Sequence, residues 1–116
     1  MKKIFTLIIV LSSFVFGKGL DNVLDSKIEN ELRRRNVIQV SNYKVDYDVD
    51  VYANQMNIEI EFDGIREPKL DYKKIALKVI TIAREIAPNI DDIYIDIKFD
   101  PLIGEDRVLF SKRYSK

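Results

Sequence analysis

The residues of this chain that could do chemistry are six carboxylates on two short stretches. Asp46, Asp48 and Asp50 alternate with Val45, Tyr47, Val49 and Val51; Glu59, Glu61 and Asp63 alternate with Ile58, Ile60 and Phe62. A period of two puts the acids of each stretch on one face of a strand. With Asn54 and Gln55 as a two-residue loop, Asp50 stands opposite Glu59, Asp48 opposite Glu61 and Asp46 opposite Asp63. Like charges directly opposite on a sheet destabilise it by roughly a few tenths of a kcal/mol per pair. Relief can come from a neighbouring strand that carries Lys98, Arg107 or Arg113, or from outside, as a metal ion or a basic partner. The plain alternative is a solvated face whose repulsion also discourages edge pairing. Tyr52 and Tyr94 share the polar parity, and exposed tyrosines favour interfaces. The candidate partner-binding face is therefore Asp46, Asp48, Asp50, Glu59, Glu61, Tyr52 and Tyr94.

Several chemistries are harder to build. The 116 residues include no histidine and no cysteine. The commonest general base, the commonest metal ligand, the thiolate nucleophile and the disulfide are all absent. Asp46, Asp48 and Asp50 open like a calcium loop, but the sixth position is Val51 rather than glycine and the twelfth is Asn57 rather than glutamate. Paired carboxylates do acid–base work only in a cleft that desolvates one of them. Ser111 and Lys112 are neighbours on opposite strand faces, the wrong geometry for a Ser–Lys pair. No catalytic, cofactor or metal residue is assigned. Nineteen basic and nineteen acidic residues leave no formal charge, which gives no footprint for nucleic acid.

The elements that must position the acidic face follow from the pattern. Leu20, Leu24, Ile28 and Leu32 recur at helical spacing, with Val23 alongside, and predict a helix from Leu20 to Asn36. Asp21 is its N-cap, Asn36 closes it in a left-handed conformation, and Arg33, Arg34 and Arg35 complement its C-terminus. The hairpin runs from Tyr43 to Asp63. Gly64 to Leu70 is a loop. Asp71 caps a second, more buried helix from Tyr72 to about Ala87, which Pro88 stops. A third strand runs from Asp92 to about Asp100, with Ile93, Ile95, Ile97 and Phe99 inward. The last runs from Arg107 to about Arg113, with Val108 and Phe110 on one face and a frayed Tyr-Ser-Lys end.

The N-terminus reads differently. Lys2 and Lys3 precede an apolar run from Ile4 to Phe16, and Val15 and Gly17 occupy the positions a signal peptidase reads before a cut after Gly17. This is a secretory signal peptide over residues 1–17, leaving a single domain over 18–116. The run is shorter than the ~20 residues that span a bilayer as a helix; the competing reading is an uncleaved anchor that tethers the domain to the membrane. No cysteine follows it, which excludes lipoprotein attachment.

The order helix-strand-strand-helix-strand-strand predicts an α+β two-layer sandwich, a mostly antiparallel four-stranded sheet with two helices on one face. That order resembles the BON domain, a small exported helix-strand-strand-helix-strand module of bacterial envelopes, with a fourth strand added and without that family's glycine-bearing hairpin motif. The expectation is an exported, periplasmic or secreted protein without enzymatic activity. It would bind an envelope protein or a basic ligand through its exposed sheet face, and its membrane contact would be confined to the signal segment before cleavage. The alternative is a divalent-cation-binding protein or carboxylate-dependent hydrolase using the same face.

Overall fold

The computed structural model describes residues 16–116, with side chains from Val23 onward. The predicted signal segment, residues 1–17, lies outside the described residues except for its last two, which begin α1. The elements are α1 (Phe16–Arg34), β1 (Lys44–Tyr52), β2 (Gln55–Gly64), α2 (Tyr72–Ile86), β3 (Asp92–Pro101) and β4 (Arg107–Ser115). Among the described residues no helix is long and apolar enough to cross a membrane.

The strands form one sheet in the order β1-β2-β3-β4. β1 pairs antiparallel with β2, β2 parallel with β3, and β3 antiparallel with β4. The parallel pair needs a crossover, which α2 supplies. The fold is the compact α+β arrangement expected from the element order. Alternation builds its core: Tyr47, Val49 and Val51 from β1, Met56, Ile58, Ile60 and Phe62 from β2, and Ile93, Ile95, Ile97 and Phe99 from β3 are all buried. Ile28 and Leu32 of α1 and Ala76, Val79, Ile82 and Ala83 of α2 cover them.

Both helix ends show why the chain stops where it does. The Asp71 carboxylate accepts the Lys74 amide at 3.1 Å, which satisfies a first-turn donor of α2. Asn36 takes a positive φ of 48°; its amide donates to Arg33 and that of Val37 to Leu32, a Schellman closure. Asp21 is not an N-cap: α1 already runs from Phe16. Val23 is 60% exposed and lies off the apolar stripe.

The polar flank of α1 is not simply solvated. Asp25 Oδ1 accepts the Val51 amide at 2.7 Å and Glu29 Oε2 accepts the Val49 amide at 2.9 Å. Arg33 donates to the Tyr47 carbonyl at 3.4 Å. These three helix positions, one turn apart, satisfy three of the outer backbone groups of edge strand β1, groups through which edges otherwise recruit foreign strands.

The hairpin register differs from the expected one by two residues. The loop is Ala53 and Asn54, with Tyr52 opposite Gln55. Ala53, not Asn54, takes the positive φ of 54°. The faces survive because the shift is even. Asp48 now stands opposite Glu59 and Asp46 opposite Glu61, Asp50 faces Asn57, and Asp63 faces Lys44. Two opposed acidic pairs remain of the three expected.

β4 departs from its reading in two ways. A bulge between Ile97 and Lys98 places Val108 opposite Lys98 and Phe110 opposite Ile97. Val108 is consequently 59% exposed while Phe110 is half-buried. The C-terminus is not frayed: Tyr114 pairs with Ile93, Ser115 with Asp92, and the Lys116 amide donates to the Asp91 carbonyl at 2.8 Å. Gly64 ends β2 beneath Tyr43, where an added Cβ would lie 2.6 Å from the tyrosine ring. That close approach, rather than backbone freedom, requires the glycine.

Candidate functional site

The outward parity of β1, β2 and β3 collects nine carboxylates on one sheet face. β1 contributes Asp46, Asp48 and Asp50, β2 contributes Glu59, Glu61 and Asp63, and the register adds Asp92, Asp96 and Asp100 from β3. Lys44, Lys98 and, at the far side, Arg113 share the face. β3 therefore brings one lysine to the acidic hairpin and three further acids with it. Lys98 pairs with Glu59 at 3.0 Å. Arg107, expected to relieve the hairpin, pairs instead with Glu67 at 2.7 Å, and Arg113 lies 3.8 Å from Asp92.

The acids fall into two neighbourhoods. Asp48, Asp50, Glu59, Tyr94 and Asp96 line one shallow, open depression with Gln55 and Asn57. At the other end of the face, carboxylate oxygens of Asp46, Glu61 and Asp63 lie within 4.8 Å of one another, as do those of Glu61, Asp100 and Asp106. Glu61 belongs to both groups. Tyr52 stands apart at the hairpin end, where its hydroxyl accepts from Gln55 at 3.1 Å. Of the seven residues expected on the face, the structure thus gathers Asp48, Asp50, Glu59 and Tyr94 at one end and Asp46 and Glu61 at the other.

The electrostatics follow from this crowding. Burial pushes the Glu61 carboxyl above its ordinary range, and the charges of Asp63, Asp106, Asp100 and Glu59 push the same way. Asp100 is raised first by a hydrogen bond with the Asp106 carboxyl, then by burial and by repulsion from Asp106 and Asp63. Lys98 is raised chiefly by its hydrogen bond to Glu59. Asp63 Oδ1 is buried without a hydrogen-bond partner among the described residues. Carboxylates held this way favour any positive charge that replaces the missing proton.

Asp100 and Asp106 were missed as site residues. Asp100 carries the outward parity of its strand, but only the pairing of β2 with β3 brings it to Glu61. Asp106 sits in the β3–β4 turn, where no sequence pattern marks it.

No known protein-family model matches the chain, and no curated protein sequence matches it. The likeness to the BON domain remains one of element order.

Proposed function

We propose that this protein is an exported cell-envelope binding module that holds a basic segment of a partner protein on the outer face of its sheet, without enzymatic activity. One observation carries the reading: nine carboxylates on three adjacent strands share a face with Lys44, Lys98 and Arg113. Opposed like charges cost stability, and a partner rich in lysine or arginine relieves that cost on binding. Electrostatic complementarity of this kind also speeds encounter and makes it salt-sensitive. The open form of the face supports binding over hydrolysis, because general acid–base catalysis needs a desolvated cleft. The N-terminal pattern of two lysines, an apolar run and a Val15–Gly17 cut site supports export. Pull-down from envelope extracts with the wild type and an Asp48→Lys/Glu61→Lys variant tests the reading. Partners captured by the wild type and lost by the variant support it; identical partner lists remove the sheet face from the account.

A divalent cation is the second reading, favoured by the two carboxylate clusters that share Glu61. Hard cations such as Ca²⁺ take several carboxylate oxygens at once. Calorimetry with Ca²⁺ and Mg²⁺ and a thermal melt with and without each metal separate the two readings. No heat and no shift in melting temperature remove the cation.

A further inference from the structure

The β3–β4 turn, at the Glu61 end of the nine-carboxylate face, carries exposed apolar side chains. Leu102 is 78% exposed and Ile103 88%, and Ile65 beside them is 78% exposed. Ile65 and Leu102 line one surface depression together with Asp63 and Asp100, two acids of that face. Apolar side chains gathered at a protruding tip mark a contact surface. Glu105 and Asp106 follow in the same turn, so the tip is apolar with an acidic flank. An anionic lipid surface repels such a flank.

The chain also carries a surface of the opposite character. A groove of about 620 Å³ lies between the α1–β1 connector and α2. Val37, Val40, Leu70 and Ile75 give it an apolar lining; Lys74 and Lys78 line it too, beside Arg35, which is paired with Glu31 and Glu85, and Asp71, whose carboxylate accepts the Lys74 amide. Both lysines are exposed, and among the described residues neither ammonium has a carboxylate partner. An apolar tip with an acidic flank complements an apolar groove with a basic rim.

We propose that a second copy of this chain inserts its β3–β4 turn, led by Leu102 and Ile103, into this groove, with Glu105 and Asp106 meeting Lys74 and Lys78. The two surfaces are different patches of one molecule, so the contact is heterologous at each site. It uses the helix side of one copy and the turn of the other; the turn's Asp106 also belongs to the Glu61 cluster, while the Asp48–Glu59 end of the sheet face stays open.

Sedimentation velocity of the full chain over a range of concentrations tests this. The variants are Leu102→Asp/Ile103→Asp at the tip and Lys74→Glu/Lys78→Glu at the rim. All four positions are exposed, and circular dichroism checks that each variant keeps its fold. The wild type self-associates, and either variant weakens the association roughly tenfold or more. Mixing the two variants restores a one-to-one complex, because the intact tip of one fits the intact groove of the other. A wild type that stays monomeric throughout, association unchanged in both variants, or a mixture that stays monomeric overturns the proposal. So does co-sedimentation of the wild type, but not the tip variant, with phosphatidylcholine vesicles, which assigns the tip to a lipid surface.

Discussion

Lys98 Nζ lies 3.0 Å from Glu59 Oε1, although the residue facing Lys98 across the β2–β3 pair is Glu61. The one lysine in the middle of the acidic face therefore serves the Asp48–Glu59 rung and leaves the Asp46–Glu61 rung uncompensated. This diagonal choice makes Glu61, rather than Glu59, the crowded member of the site.

The pair is solvent-accessible, with side chains 31% and 41% exposed, and exposed pairs contribute about 0.2–1 kcal/mol. Lys98→Gln is expected to lower stability by that amount at pH 7. Because the folded lysine is raised above its ordinary 10.5, its contribution is fully present below that value and fades as pH rises beyond it. Urea denaturation of wild type and variant should differ at pH 7 and converge in strong alkali.

Glu61 has the opposite sign. Its carboxyl is raised above the ordinary 4.5, so folding favours the protonated form, and the ionised form costs stability at neutral pH. Glu61→Gln should raise stability at pH 7 by about 0.2–1 kcal/mol, the range for a cross-strand pair. The advantage should shrink as pH falls through the raised value and vanish below 4.5, where wild-type Glu61 carries its own proton. Thermal melts across that range read it directly. A stabilising substitution at this position is what a site that sacrifices stability for binding predicts.

Ala53 occupies a left-handed conformation at φ 54° in the β1–β2 turn, a region that costs an L-residue about 1–2 kcal/mol and glycine little. Ala53→Gly is expected to stabilise the protein by about 1 kcal/mol, less the entropy that glycine adds to the unfolded chain. Chemical denaturation should move its midpoint upward with an unchanged slope.

The same residue explains where sequence reading stopped. The alternation from Tyr43 to Asp63 and from Asp92 to Asp100, the helical stripe of Leu24, Ile28 and Leu32 and the Asp71 cap were all legible, because period and capping chemistry are local. The hairpin register was not, since nothing local marks Ala53 for positive φ while Asn54 beside it tolerates that region. Strand order was equally hidden, because the parallel β2–β3 pair is settled by how α2 packs rather than by either strand's pattern. The second acidic cluster was lost with it. Asp25 and Glu29 fall outside the apolar stripe and Arg33 was expected only to complement the helix C-terminus, yet each lies one residue past a stripe residue, which turns them toward the β1 edge.

That row yields a further prediction. Glu29 holds the Val49 amide and Asp25 the Val51 amide, and a hydrogen bond to a charged group contributes about 1.5–3 kcal/mol. Glu29→Ala should destabilise by about that much, partly offset where water replaces the carboxylate. It should also uncover the β1 edge. Light scattering should show more aggregation on heating than in Lys27→Ala, a change on the same helix at an exposed position.

The outer sheet face is the proposed seat of a positively charged partner. Nuclear magnetic resonance of the isotope-labelled protein, titrated with an oligolysine peptide at low salt, tests it most directly. Amide shifts should concentrate at Asp46, Asp48, Glu59 and Glu61, spare α2, weaken as salt is added and disappear in Asp48→Lys/Glu61→Lys. No shifts on β1 and β2, or shifts gathered on the helices instead, would contradict it.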